Sequence, residues 1–352
     1  MNIVVTGFAT PMPVAGLLWH YAHYLLGFRA LGHEVHYVED SGDHPWNWDP
    51  VADDVDEDCR AGSTFLADGF GALGLGDRWV YRHRPTGRHD GLDAETTADV
   101  LSQADLLVSV SCTAPRRPEY EQIPLRIAID TDPVFTQIKV AEGRPHWGEL
   151  SEWHTRLFTF GRPPLPAQSH EWHPTRQPVD LTAWPEVGPV GTRATVTTVA
   201  NWRSYPPVTW LGKEYGLKDR TLRKFLDLPA TLPLPVTVAL GPEPHREQGV
   251  AALRRAGWRV VDGYEVSRTT EAYRRFITGS AAGRPAVVQD TGWSDWLPHG
   301  TGLIPFTTAA QARQGLEEVL ADPDGHARAA RRIVAEQFDA AAVCAELLEA
   351  CT

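Results

Sequence analysis

The chain of 352 residues is poor in sulfur, with four cysteines and two methionines. Cys59, Cys112, Cys344 and Cys351 show no Cys-x-x-Cys spacing. That speaks against a zinc site or a disulfide framework and leaves free thiols, buried or at the surface. Positive charge is short as well: 33 Lys and Arg face 45 Asp and Glu, for a net charge of −12. A field of that sign repels polyanions, so neither nucleic acid nor an anionic membrane is expected as a partner, although a few local donors would still hold a small phosphate. No run approaches the roughly 18–20 apolar residues of a membrane helix. Met1 leads straight into a strand-like segment, without the basic and apolar regions of a signal peptide, so a cytoplasmic protein is expected. Three signatures are also missing: Gly-x-Gly-x-x-Gly opening a helix, Gly-x-x-x-x-Gly-Lys-Ser/Thr, and Gly-x-Ser-x-Gly. Their absence argues in turn against a dinucleotide oxidoreductase, a P-loop nucleotidase and an α/β hydrolase.

What is present is a repeated alternation of short apolar strands and helical segments. Ile3–Val5 reads as a strand closed by Thr6-Gly7, the loop Phe8–Gly16 carries Pro and Gly, and Leu17–Leu31 has apolar residues at helical spacing before Gly32. Glu34–Val38 follows as a second strand, and a strand–helix–strand crossover is the unit of a doubly wound sheet. Leu106–Val110 and Arg126–Ile129 read as further strands, ending in Ser111-Cys112-Thr113 and Asp130-Thr131-Asp132-Pro133. Ligands bind beyond the carboxyl ends of parallel strands, so such endings are where chemistry is sought. Residues 160–190 are rich in proline and read as a linker. A second series of strands follows (195–199, 236–240, 258–261 and 286–288), with helices between them and a helical C-terminus.

Size and pattern predict an α/β protein of two Rossmann-like, doubly wound domains facing each other across a cleft. The expected boundaries are an acceptor-side domain over 1–180, a donor domain over 181–335, and a terminal helix over 336–352 that packs back on the first domain. Thirteen tryptophans, many beside Pro, His or polar residues, fit sugar-stacking loops and interdomain surfaces equally well. The run Asp53, Asp54, Asp56, Asp58 reads as a solvated loop. In Gly283-Arg284-Pro285-Ala286-Val287-Val288-Gln289-Asp290-Thr291-Gly292, a Gly-Pro turn feeds an apolar strand that ends in hydrogen-bonding side chains and a glycine. Gln289 and Asp290 could pair with vicinal sugar hydroxyls while the amides of Thr291 and Gly292 approach a ligand closely; an ordinary polar exit from a strand fits as well.

Several segments together resemble the GT-B glycosyltransferases, in particular an actinobacterial family-1-type group associated with natural products. They are 13–21, 31–40, 130–137, 154–161, 172–178, 201–205, 215–219 and 283–298, in one order over nearly the whole chain. The resemblance implies the GT-B fold and metal-independent transfer of a hexose or deoxysugar from a nucleoside-diphosphate donor to a small-molecule acceptor. It implies no other cofactor, and a monomer or homodimer. His20 is then a candidate base, with Asp132 orienting it or acting as base itself, and Pro13, Gly16 and His23 lie on the acceptor side. Arg203 and Lys218 are candidate partners of the diphosphate, with Asn201 and Trp202 at a strand end on the donor side and Gln289, Asp290, Thr291 and Gly292 around the sugar. A packed helix histidine, an Asp that caps the turn before Pro133 and solvated surface cations are the competing readings.

One departure stands out. Relatives carry a longer segment between Ser280 and Ala281, with a strand and a Gly/Ser loop whose helix amides hold the donor diphosphate. Here too few residues join helix and strand for that unit. Either the chain does without the loop or a further segment belongs there. A sugar-nucleotide epimerase on the same fold and a non-catalytic auxiliary protein are the alternative functions.

Overall fold

The computed structural model describes every residue except 162–169, 186–194, 204, 205, 217, 243–245, 279–283 and 352. The chain divides into two compact units, Met1–Ala183 with Phe338–Thr352, and Trp184–Gln337.

The first unit runs β1 (Asn2–Thr6), α1 (Ala15–Ala30), β2 (Glu34–Asp40), β3 (Asn47–Asp49), β4 (Asp54–Asp56), α2 (Arg60–Ala72), β5 (Trp79–His83) and β6 (Arg88–Gly91). It continues with α3 (Ala94–Ser102), β7 (Leu106–Val110), α4 (Pro118–Glu121), β8 (Leu125–Asp130), α5 (Phe135–Ala141), α6 (Leu150–Trp153), β9 (Arg156–Phe160) and β10 (His173–Thr175). Eight strands form one sheet in the order β10-β9-β8-β7-β1-β2-β5-β6, parallel except for β6. From β1 the chain first builds outward through β2 and β5, then returns to the other side of β1 with β7. The gap between β1 and β7 is therefore the topological switch point, where open parallel sheets bind ligands. All of β7 and most of β1 are buried, as apolar strands covered on both faces should be. The acidic run lies on the exposed strand β4 and its flanks, and β4 pairs antiparallel with the largely buried β3.

The second unit runs β11 (Val196–Ala200), β12 (Val208–Trp210), β13 (Lys213–Tyr215), α7 (Lys218–Thr221), a 3-10 turn (Leu222–Phe225), α8 (Leu228–Thr231), β14 (Val236–Leu240) and α9 (Arg246–Arg255). Then come β15 (Arg259–Asp262), α10 (Gly263–Ser267), α11 (Thr270–Thr278), β16 (Ala286–Gln289), β17 (Leu303–Phe306), α12 (Ala309–Ala321) and α13 (Pro323–Gln337). The chain then returns to the first unit with α14 (Ala340–Glu349).

The parallel strands of the second unit form two sheets, β11-β14-β15 and β16-β17. In a doubly wound order one further strand would stand between β11 and β16. Only residues 279–285 separate α11 from β16, whereas a strand with its crossover needs a dozen or more. The two strands that would flank it leave Val199 36% and Val288 39% exposed. The connection itself, including the junction of Ser280 and Ala281, lies largely outside the described residues.

Helix α1 is buried on most of its surface because two layers cover it, the sheet on one side and α14 on the other. Gly27 makes the second contact possible. A Cβ there would lie 2.6 Å from the Ala340 carbonyl oxygen and 2.7 Å from Cys344 Sγ. Asp339 caps α14 by accepting from the Ala342 N–H at 3.0 Å, and Val179 bonds the same junction through Phe338 O and the Ala340 N–H. Helix α1 ends at Gly32, whose φ of +84° strongly favours a residue without Cβ.

Candidate functional site

His20 sits in the second turn of α1, after the loop that leaves β1. Its Nε2 lies 3.3 Å from Ser111 Oγ, directly beyond β7, and Ser111 Oγ lies 2.8 Å from Thr131 Oγ1, directly beyond β8. The three groups thus meet at the carboxyl ends of β1, β7 and β8, over the switch point. The backbone there is strained: Ser111 and Cys112 hold φ of +61° and +54°, and Val134 holds +79°. Such angles are costly for a residue with Cβ, above all for β-branched valine. His146 Nε2 donates to Cys112 O at 2.8 Å and so ties down the turn.

The other ring nitrogen of His20 meets Gln177 Oε1 in a short hydrogen bond. The Gln177 amide nitrogen donates to His20 O at 3.2 Å and to Pro178 O at 3.0 Å. With both amide protons committed, the amide oxygen faces Nδ1, and Nδ1 is the nitrogen that carries hydrogen. The Nε2 lone pair faces Ser111. Tyr21, Tyr24 and Phe160 contact the ring edge-on and fix its rotamer. Burial pushes the imidazole down to about 4, opposed by the Gln177 hydrogen bond. His20 is therefore neutral at pH 7, the form a proton acceptor needs.

Behind the site, Glu39, next to last in β2, is fully buried. It accepts from the Ala9 and Thr10 N–H groups, each at 2.9 Å, and from Tyr37 Oη in a short bond. Burial raises its carboxyl to about 7 against those hydrogen bonds. Glu39 holds the β1–α1 loop, and so the start of the helix that carries His20. Gly7 in that loop leaves room for the Tyr21 ring, which a Cβ would approach to 2.7 Å.

The remaining sequence candidates fall in several places. Asp132 is exposed and donates its backbone N–H to Asp130 Oδ1 at 2.9 Å; Gln177, not Asp132, is the partner at His20 Nδ1. Asp130 is the buried acid of this turn, accepting from Gln137 and Thr159. His23 is buried and accepts the Asp180 N–H at 2.9 Å, which makes it an anchor for the segment after Gln177 rather than a ligand-facing group. Pro13 is buried in the β1–α1 loop and Gly16 is half-buried in the first turn of α1.

In the second unit Asn201 is exposed at the carboxyl end of β11, facing Gly241 so closely that a Cβ on Gly241 would lie 2.1 Å from Asn201 Oδ1. Trp202 corrects the expectation of a ring that meets a ligand. It is fully buried beneath Gly249, whose Cβ would clash with the ring at 2.6 Å, and Arg223 lies over it. Trp48 and Trp184 are buried too, so these tryptophans are core, while Trp46 is exposed against Phe8. Arg203 forms a forked pair with buried Asp219 at 2.6 and 2.9 Å, and Lys218 donates to Val199 O at 3.3 Å. Asp290 accepts from the Gly292 N–H and from Ser294 Oγ, and these bonds hold its carboxyl below the ordinary range. It closes its own turn, with Gly292 at φ +100°. Gln289 O accepts from Trp293 Nε1 at 2.9 Å, and Thr291 is exposed.

Ser111, Thr131 and Gln177 had no individual signal in the sequence, although each lies in a segment singled out there. Among the described residues, no three His, Cys, Asp or Glu side chains form a group that could hold a metal, and no helix is long and apolar enough to cross a membrane.

No protein-family profile and no curated protein matches the chain. Solved structures do. An alpha-glucosyltransferase in complex with UDP and a 13-mer DNA superposes over 99% of both chains with a TM-score of 0.61 at 11% identity. The enzyme with UDP-glucose and DNA containing an abasic site superposes over 98% of both chains at 0.57 and 10% identity. AviGT4, a glycosyltransferase of avilamycin A biosynthesis, reaches only 0.48 at 13% identity, over 99% of this chain and 96% of its own. The chain therefore has the GT-B fold of two Rossmann-like units. One expectation is overturned. The net charge of −12 predicts no nucleic-acid partner, yet proteins of this fold are solved on DNA. The total charge is an average over the surface, whereas phosphate contacts depend on a few local donors.

Proposed function

We propose that the protein transfers a sugar from a nucleoside-diphosphate donor to a hydroxyl-bearing acceptor, with His20 as general base. One observation carries the reading. At the switch point of a fold that UDP-bound glucosyltransferases share, a neutral imidazole presents the Nε2 lone pair to a hydroxyl, Ser111 Oγ, at 3.3 Å. An acceptor hydroxyl placed like that of Ser111 gives its proton to Nε2. Its oxygen bonds to the anomeric carbon as the bond from that carbon to the diphosphate breaks, and the diphosphate leaves with the electron pair. Fold analogy alone fixes no chemistry; the reading is supported by the placement of His20 and by an Nε2 lone pair directed at a hydroxyl.

The donor belongs at the carboxyl ends of β11, β14 and β15, where Asn201, Gly241 and the Arg246–Asp262 pair gather. Arg203 and Lys218 are proposed to offset the leaving-group charge without a metal, and Gln289 to Gly292 to border the sugar. A hexose donor, a small-molecule acceptor and the likeness to actinobacterial natural-product enzymes are the finer part of the reading, and rest on the sequence resemblance.

The test is release of nucleoside diphosphate from UDP-glucose and TDP-glucose in the presence of hydroxylated small molecules or a DNA duplex. Acceptor-dependent release that falls about a hundredfold or more in His20→Ala supports the reading. Release independent of His20, or none with any acceptor, contradicts it.

A further inference from the structure

The sequence offered Asp132 as the group that orients His20, but the ring is held from elsewhere, 157 residues along the chain. We propose that Gln177 is the positioning residue of this site: it locks His20 in the Nδ1–H tautomer and so keeps Nε2 available as the proton acceptor. The proposal rests on the sugar-transfer reading only for its consequence in catalysis; the tautomer itself is a property of the resting protein.

The lock is built from both sides. On one side, the Gln177 amide protons are spent on His20 O and Pro178 O, so rotating the amide to donate to Nδ1 would break two hydrogen bonds and set carbonyl against carbonyl. On the other side, the segment that carries Gln177 cannot drift. Arg176 forms a bidentate pair with Glu346 of α14 at 2.6 and 2.7 Å. Val179 bonds Phe338 O and the Ala340 N–H, and the Asp180 N–H donates to His23 Nδ1. His20 and His23, one turn apart on α1, thereby take opposite tautomers: His20 carries hydrogen on Nδ1, and His23 accepts there and carries it on Nε2. Two histidines on one helix read the same short segment in opposite senses, which makes the arrangement observable.

A neutral partner has a chemical consequence. When Nε2 takes the acceptor proton, Nδ1 keeps its own hydrogen and its bond to Gln177, and no carboxylate at that bond compensates the imidazolium. Gln177 fixes direction and, as an uncharged acceptor, offsets only part of the basicity that burial removes. A carboxylate in its place would fix the same tautomer and raise the affinity for the proton.

The experiment is two-dimensional long-range 1H–15N NMR of the histidine rings in the full-length protein at pH 7, with Gln177→Leu and Gln177→Glu. The expected wild-type spectrum has His20 protonated at Nδ1 and His23 at Nε2. Gln177→Leu shifts His20 toward the Nε2–H form and lowers kcat at least about tenfold with the donor KM unchanged. Gln177→Glu keeps Nδ1–H, retains turnover and moves the acid limb of the pH profile upward. His20 protonated at Nε2 in the wild type, or a tautomer indifferent to Gln177→Leu, overturns the proposal. Should Gln177→Leu not fold, retention of Nδ1–H without a raised acid limb in Gln177→Glu overturns it equally. Correct tautomers in a protein that transfers no sugar would leave Gln177 in its role and remove the sugar-transfer reading instead.

Discussion

Gly27 offers a sharp test of how the C-terminal helix is built into the first unit. In Gly27→Val the new Cβ would sit 2.6 Å from the Ala340 carbonyl oxygen and 2.7 Å from Cys344 Sγ. Ordinary contact begins near 3.4 Å, so α14 would have to move by most of an ångström. Its first turn cannot do so cheaply, because Val179 and the Asp339 cap bind it there. Overpacking of this kind costs about 1–3 kcal/mol. A glycine-to-alanine change in mid-helix returns about 1 kcal/mol, and valine returns only part of that. A net loss of about 2 kcal/mol is expected for Gly27→Val, and close to none for Gly27→Ala combined with Cys344→Ala only if the carbonyl can also yield. Gly71 in α2 is the control, since nothing lies within 4 Å of a Cβ there. Gly71→Ala should be neutral or stabilising by up to about 1 kcal/mol. Urea unfolding followed by tryptophan fluorescence reads both, fitted as two transitions if the two units separate. Gly27→Val as stable as the wild type, or Gly71→Ala as damaging as Gly27→Val, would refute the packing argument.

Three further outcomes follow from buried groups. His20, His23 and His154 are pushed by burial to about 4, 3 and 3. The unfolded chain binds their protons below pH 6.5 while the folded one does not. Their stabilisation is therefore complete above pH 6.5 and lost as the pH falls toward 4, each tenfold change in proton affinity being worth about 1.4 kcal/mol; a chemical-denaturation series over that range should show a steep loss. Glu39 works in the opposite sense. Its carboxyl is raised to about 7, so its contribution is full below pH 4.5 and fades as the pH rises through 7. In Glu39→Gln the rise of stability between pH 5 and 7 should be steeper than in the wild type, and an unchanged slope would sink that assignment. Trp202→Ala should cost about 3–5 kcal/mol as a large core truncation and lower the melting temperature of the second unit. Unchanged stability with lost ligand binding would restore Trp202 to the surface role the sequence suggested.

The strands that were legible in the sequence are those with a short apolar or β-branched run bounded by turn or polar residues: β1, β2, β7, β8, β11, β14, β15 and β16. Those that escaped are broken by charged residues, by proline or by a turn without a sequence signature. In β5, Arg82 and His83 are buried, Arg82 paired with Glu119, and the polar letters break the apolar run. Pro305 interrupts β17, and proline ordinarily argues against a strand. The β12–β13 hairpin turns through Leu211 and Gly212 at φ +48° and +76°, and leucine in the left-handed region has no sequence signature. At the site, His20 was recognisable from its place after the first strand and loop. Its partners were not. Ser111 depends on a left-handed turn, and Gln177 on a contact 157 residues away. Asp132 was the natural choice by charge, but the local hydrogen bonds of the Asp130–Pro133 turn and the chain path from β10 place Gln177 there instead. Trp202 looked like a strand-end ring because the sequence does not reveal that the chain turns inward beneath α9 after Ala200.

The central claim is that a nucleoside-diphosphate sugar is the donor and that His20 accepts the proton. It is tested most directly by the pH dependence of acceptor-dependent diphosphate release, compared between the wild type and His20→Ala. The account predicts a wild-type rate whose acid limb lies near pH 4, where His20 takes up its proton, and a His20→Ala rate that is low and loses that limb. Equal rates and identical profiles in the two proteins would contradict it.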